Sequence, residues 1–205
     1  MKIYLIRHGE TDWNRQLRIQ GRENVALNQA GIRQAAECGK ALAGSGEKIT
    51  AVYVSPLDRA ILTGQTIAAQ INLDKESVQI LPELIERDLG AYSGQIMKDK
   101  AQFFGLSAGE DGNGMEPFAS VLTRMQQALL KIAGTENETV AVVSHGAAIN
   151  ILLAKLSDHA CGTGKTKLYN GGITVLEGDE KNGFHLVHCN LRPEEFTTMV
   201  QLELF

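Results

Sequence analysis

The feature that most constrains this chain is the alternation of short apolar runs with longer segments of helical spacing. Lys2 to Ile6 reads as a short buried strand, Ala51 to Val54 as a second, and Thr139 to Val143 as the clearest of the later ones. Val78 to Leu81 is a weaker candidate. After Asn28, Ile32, Ala35, Ala36, Gly39 and Leu42 recur at three- and four-residue steps until Gly44-Ser45-Gly46. Ala60, Ile61, Gly64, Ile67, Ala68 and Ile71 repeat that spacing, with Pro56 expected in the first helical turn. Val121, Leu122, Met125, Leu129 and Ile132 mark a helix over 118–132, and Ala147 to Leu156 an apolar one. Ile173 to Leu176 and Phe184 to Cys189 have hairpin spacing, and the alternation of Val200, Leu202 and Leu204 predicts a small terminal strand. Strands alternating with helices predict an α/β fold, a mostly parallel central sheet flanked by helices on both faces. Residues 1–205 then make one domain with a small irregular cap or loop insertion near 91–117. Within it, glycine-rich Gly105 to Gly114 reads as a mobile surface loop.

Composition narrows the partners. Twenty Lys and Arg against 24 Asp and Glu leave a net charge of −4, which argues against nucleic acid or an anionic membrane as the main partner. Cys38, Cys161 and Cys189 are odd in number and show neither CxxC nor Cys/His ligand spacing. Free thiols and no metal site are expected from them. No apolar run approaches the roughly 20 residues that span a bilayer. The apolar stretch before Arg7 is also shorter than a signal peptide requires, so a cytoplasmic location is expected.

In parallel α/β sheets, ligands bind beyond the carboxyl ends of the strands. Here those ends read Ile6-Arg7-His8-Gly9, Ser55-Pro56-Leu57-Asp58-Arg59 and Ser144-His145-Gly146. If the strands are neighbours, Arg7, His8, Arg59 and His145 converge. Four potentially cationic groups in one place fit a dianion such as a phosphoryl group. A helix starting near Gly146 adds its N-terminal dipole.

Leu5-Ile6-Arg7-His8-Gly9-Glu10-Thr11-Asp12-Trp13-Asn14 resembles the signature of the histidine phosphatase superfamily, the phosphoglycerate-mutase-like group. Ser55 to Ala60 resembles its second motif and Ser144-His145-Gly146 its third, while Glu86-Arg87-Asp88-Leu89-Gly90-Ala91-Tyr92-Ser93-Gly94 resembles the segment that carries its acid. The motifs follow in the family's order over most of the chain. The resemblance implies a metal-independent phosphomonoesterase acting on a small phosphorylated metabolite through a phosphohistidine. It implies no cofactor and no metal. A phosphoglycerate mutase primed by bisphosphoglycerate is the alternative, and a silent phosphate-binding module a third reading. The short stretch between Gly94 and Pro117 favours hydrolysis, because a mutase must keep water from the phosphoenzyme.

On the same resemblance, neutral His8 is the nucleophile, with an acceptor on its other nitrogen to fix the tautomer. Arg7 and Arg59 clamp the phosphoryl oxygens, and His145 adds a charged donor. Asn14 donates an amide hydrogen bond. Glu86 protonates the leaving oxygen and then deprotonates water. Glu83, three residues earlier, remains an alternative acid. Gln20 and Gly21 bring a backbone N–H near phosphate, or form an ordinary turn. Trp13 is assigned to loop packing, and His159, His185 and His188 to no motif. Asn24 stands where relatives often have Asp, predicting a missing cap or salt bridge. Glu116 takes the place of an acid in a Gly-Glu-Ser-like motif. The substrate and the oligomeric state stay open.

Overall fold

The central strands are buried on both faces because their apolar side chains alternate between two helical layers. In the computed structural model, which describes residues 1–98 and 114–203, six strands form one sheet. They are β1 (Lys2–Arg7), β2 (Ala51–Val54), β3 (Val78–Ile80), β4 (Thr139–Ser144), β5 (Ile173–Asp179) and β6 (Gly183–Leu191), in the order β3-β2-β4-β1-β5-β6. β1, β2, β3 and β4 run parallel, while β5 is antiparallel to β1 and β6 to β5. The helices are α1 (Asp12–Arg15), α2 (Gln29–Ala43), α3 (Asp58–Gln70), α4 (Phe118–Ala133), α5 (Gly146–Leu156) and α6 (Pro193–Glu203).

Ile3, Leu5, Tyr53, Val140 and Val142 point into one core with α4 and α5. Tyr4, Ile6, Val52, Val54, Ala141 and Val143 point into the other, with α2, α3 and α6. The parallel sheet with helices on both faces is therefore present, joined to an antiparallel hairpin at one edge. Truncating a side chain such as Ile6 to Ala removes contacts that collapse cannot restore, at a cost of about 2–5 kcal/mol.

Two local expectations are corrected. The chain end is a helix, not a strand, because Pro193 opens it and Phe196 and Val200, four apart, share its buried face. The Phe196 ring meets the Tyr4 ring edge-on at 5.4 Å, whereas Leu202 is 73% exposed. Leu204 lies outside the described residues. Pro56 stands before the helix rather than in its first turn, since Leu57 is still extended and α3 begins at Asp58. Of the irregular region, Gly90–Tyr92 is a 3-10 turn, and Ile19, Leu89, Met97 and Met115 form a small separate apolar cluster. The expected loop Gly105 to Gly114 lies, apart from Gly114, outside the described residues, as does most of the stretch whose shortness favours hydrolysis.

Candidate active site

Strand register assembles the site. Arg7 pairs with Ser144, so β1 and β4 end side by side and present His8 and His145 together, their rings 5.1 Å apart. β2 ends one strand over, and the α3 that follows it carries Arg59 in its first turn. A cavity of about 710 Å³ opens there, lined by Arg7, His8, Asn14, Gln20, Gly21, Arg59, Glu86 and Gly146 among others. Every site residue expected from the sequence lines it except His145, which is fully buried beside His8.

The His8 tautomer follows from one contact. His8 Nδ1 lies 2.7 Å from the Gly9 carbonyl oxygen. A carbonyl only accepts, so Nδ1 carries the hydrogen and Nε2 keeps its lone pair. Burial, with Arg59 and Arg7 adding to it, pushes the His8 imidazole well below its ordinary value, so it is neutral. Gly9 has no freedom to be larger: a Cβ there would meet the Gly31 carbonyl oxygen at 2.3 Å. The first turn of α2 therefore backs directly onto the nucleophile loop.

His145 departs from its expected charge. Arg59 Nε donates to its Nδ1 at 3.3 Å, and its Nε2 lies 2.6 Å from Ser55 Oγ. Guanidinium nitrogens only donate, so the His145 proton sits on Nε2 and the ring is neutral. Burial holds it well below the ordinary imidazole value, with Arg59 and His8 reinforcing the effect. The charge in the floor comes from the arginines. Burial lowers both, Arg59 to about 10, against the opposing pull of Glu86, so both stay protonated at neutral pH. Arg7 Nη1 donates to the Leu168 carbonyl oxygen at 2.7 Å, while its buried Nε has no partner among the described residues. An unpaired buried donor costs about 1–3 kcal/mol until a ligand accepts from it.

Asn24 also reverses its expectation. Its Oδ1 accepts from the Asp58 N–H at 2.9 Å and so caps α3 from a distant part of the chain. That matters locally because Leu57, at the N-cap position, has no oxygen to offer. Arg59 is held in the same corner by donating to the Glu23 and Gly21 carbonyl oxygens at 2.6 and 2.8 Å.

The two candidate acids are placed differently. Glu86 lines the cavity and accepts from the backbone N–H groups of Arg87, Ala147 and Ala148 at 2.8, 3.2 and 3.0 Å. It thereby uses the first free donors of α5 that the sequence offered to a phosphoryl group. Glu83 does not line the cavity; its carboxylate is paired with Lys131, whose hydrogen bond holds it below the usual carboxylate range. Glu116 plays a structural part instead. It takes both Arg124 Nε and Nη2, at 2.9 and 3.0 Å, along with Arg22 Nη2 at 3.1 Å. Burial alone pushes its carboxyl up, but Arg124, the Asp88 N–H and Arg22 outweigh it and hold it low.

The remaining assignments are placed as follows. Asn14 Oδ1 accepts from the Thr11 N–H, the Thr11 hydroxyl and Asn170, which leaves its NH2 to donate into the cavity. Gln20 Oε1 lies 3.0 Å from the Thr11 hydroxyl, whose single hydrogen it shares with Asn14 Oδ1, and the Gly21 carbonyl is engaged by Arg59. Gly21 has φ +49°, a conformation that disfavours other residues. Trp13 packs beneath the Arg18 guanidinium at 5.0 Å. The three cysteines are free thiols. His159, His185 and His188 do not line the cavity. No group of three His, Cys, Asp or Glu side chains among the described residues forms a metal-ligand set, and no helix there is long and apolar enough to cross a membrane.

Sequence reasoning missed Asn150, Lys165, Thr166, Lys167, Leu168 and Asn170, all on the cavity wall. No motif marks them. The one available signal is two lysines within three residues of a glycine-flanked turn, Gly162-Thr163-Gly164-Lys165-Thr166-Lys167.

Residues 3–192 match the family described as histidine phosphatase superfamily (branch 1). The chain is 31% identical to the uncharacterized phosphatase PhoE of Bacillus subtilis (strain 168), across 87% of this chain and 89% of that protein. It is 34% identical to the metal-independent phosphoserine phosphatase of Arabidopsis thaliana, across 85% and 75%. Its fold resembles that of YhfR from Bacillus stearothermophilus with a TM-score of 0.78 and 26% identity, covering 93% and 96% of the two chains.

Proposed function

The chain belongs to the histidine phosphatase superfamily, branch 1, and we propose that it is a metal-independent phosphomonoesterase acting on a small phosphorylated metabolite through a phosphohistidine at His8. As a member of that family with phosphatases among its relatives it is a phosphatase. One observation carries the finer reading. Neutral His8, its Nδ1–H spent on the Gly9 carbonyl, turns Nε2 toward a cavity that also holds Arg7, Arg59 and Glu86.

In the first step Nε2 attacks phosphorus, the Nε2–P bond forms and the ester P–O bond breaks. Glu86, entering this step protonated, gives its proton to the leaving alkoxide oxygen. Arg7 and Arg59 stabilise the charge spread over the three phosphoryl oxygens. Asn14 adds a neutral donor. In the second step Glu86 takes a proton from water, whose oxygen attacks phosphorus and frees Nε2. His145 acts behind His8.

The test is release of inorganic phosphate from p-nitrophenyl phosphate and from a panel of metabolite phosphomonoesters in the presence of chelator. Stoichiometric phosphate without a bisphosphoglycerate primer is expected. Activity that needs added divalent metal overturns the mechanism. Rapid primer-dependent interconversion of 2- and 3-phosphoglycerate with little phosphate release overturns the phosphatase in favour of a mutase.

A further inference from the structure

The cavity is much larger than a phosphoryl group, and its charge does not end at the floor. Among the described residues its lining carries five basic side chains, Arg7, Arg15, Arg59, Lys165 and Lys167, against the carboxylates of Glu10 and Glu86. The chain as a whole is net −4. Arg7 and Arg59 belong to the phosphoryl floor. Arg15 is ion-paired with Asp12 at 2.9 Å. Glu10 accepts a hydrogen bond from the Asn28 amide at 2.8 Å. Lys165 and Lys167 have no ion pair among the described residues.

These lysines do not sit on a loose loop. Gly162, at φ +98°, packs so closely on α5 that a Cβ would meet the Asn150 carbonyl oxygen at 2.3 Å. The Lys165 and Thr166 N–H groups return to the Gly162 carbonyl oxygen at 3.0 and 2.8 Å. Asn150 Nδ2 donates to the Thr166 carbonyl oxygen at 3.0 Å, and Asn190 Nδ2 to that of Lys167 at 3.1 Å. The next carbonyl, Leu168, accepts from catalytic Arg7, and Asn170 Nδ2 donates to the His8 carbonyl oxygen at 3.0 Å. The segment is therefore wired to the nucleophile and to the phosphoryl clamp. Its wall also holds a second unmet group: Asn150 Oδ1 is buried, without a partner among the described residues, on a residue that lines the cavity.

We propose that Lys165 and Lys167 form a second anion subsite, so that the substrate is a small phosphomonoester bearing another anionic group, a carboxylate or a second phosphate. This rests on the phosphatase reading for its substrate sense, but the subsite itself is a matter of binding. Exposed ion pairs are individually weak, so two of them together add about tenfold in affinity.

The experiment uses the His8→Ala protein, which binds without turning over. Calorimetric titration compares glycerol 3-phosphate with 3-phosphoglycerate, which adds a carboxylate, and with glycerol 1,3-bisphosphate, which adds a phosphate. About tenfold tighter binding of at least one of the two is expected, and which one identifies the second anion. In the Lys165→Gln/Lys167→Gln form of the same protein the preference should fall below about twofold, with an unaltered melting temperature certifying the fold. Equal affinities in the parent, or a preference that survives loss of both lysines, overturns the subsite. Failure of the unmutated enzyme to release phosphate from any ester refutes the phosphatase reading instead and leaves the titrations to decide the subsite.

Discussion

His8 stands at the end of a strand paired with β4 on one side and β5 on the other, whereas Glu86 stands in a stretch with no strand or helix of its own. Backbone hydrogen bonds position the nucleophile: the His8 N–H donates to the Ser144 carbonyl oxygen at 3.0 Å, continuing the sheet past its last paired residue. Side chains hold the backbone that carries Glu86, the proposed acid, whose carboxylate is then met by the Arg87, Ala147 and Ala148 N–H groups. Arg124 donates to the Glu83 and Ile85 carbonyl oxygens, Arg22 to that of Glu86, and Arg87 to that of Glu116. Glu116 ties Arg22 and Arg124 together. A histidine placed mainly by strand register is less sensitive to the loss of one supporting side chain, because the sheet's backbone bonds carry most of its placement. An acid on a clamped segment is more sensitive. The comparison therefore predicts that distant substitutions injure the acid's step before the nucleophile's.

The largest effects come from the two groups themselves and separate by leaving group. His8→Ala should abolish turnover of every ester, including p-nitrophenyl phosphate, since nothing else carries the phosphoryl group. Glu86→Gln should cost 10²–10⁴-fold with alkyl phosphates but far less with p-nitrophenyl phosphate, whose leaving group needs little protonation. Glu83→Gln should show neither pattern. A Glu83 variant with the leaving-group dependence would move the acid three residues along the chain.

Breaking the clamp is the next test. Arg124→Met removes the bidentate partner of Glu116 and two supports of the acid segment. A misplacement of the acid by about an ångström costs up to about 10²-fold, and only with poor leaving groups. Glu116 keeps Arg22 and the Asp88 N–H, but loss of its bidentate partner should still destabilise the fold by about 1–3 kcal/mol, read by denaturant titration. An equal loss with alkyl and p-nitrophenyl phosphates would mean that Arg124 supports the whole fold rather than the acid.

A smaller effect sharpens the nucleophile side. His8 and His145 are both pushed below the ordinary imidazole value of about 6.5, chiefly by burial. Below that value the unfolded chain binds protons that the folded one refuses. Their contribution to stability is therefore fully present above about pH 6.5 and is lost as the pH falls toward the folded values. The melting temperature should drop from pH 7 to pH 5. Sulfate, a dianion throughout that range, should flatten the drop at constant ionic strength by favouring charged imidazoles. Identical slopes with and without sulfate would remove the anion from the floor. The smallest effect is Asn24→Ala, which uncaps α3 and should cost about 1 kcal/mol. A change near zero would show that water replaces the Asn24 oxygen.

Much of this architecture was legible in the residues. The apolar runs marked β1, β2 and β4, the helical spacing marked α2 to α5, and the polar residues after three strands marked where to look. Those signals are local: burial period and turn chemistry act over a few residues. The alternation of Val200, Leu202 and Leu204 suggests a strand, while the residue that decides the period, Phe196, is buried by residues distant in the chain, Tyr4 of β1 among them. The neutral state of His145 was likewise out of reach, because it depends on burial and on Arg59 from another element.

The sequence by itself determined the α/β alternation, the strand ends that carry Arg7, His8, Arg59 and His145, and the segment that carries the acid. Only the tertiary structure put Glu86 on the cavity wall and Glu83 off it, made Asn24 a cap, turned Glu116 into a tie between two arginines and brought Lys165 and Lys167 to the cavity. Each of these joins residues far apart in the chain. The energy of such a contact depends on desolvation and distance, quantities that exist only once the sheet has closed the gap between its partners.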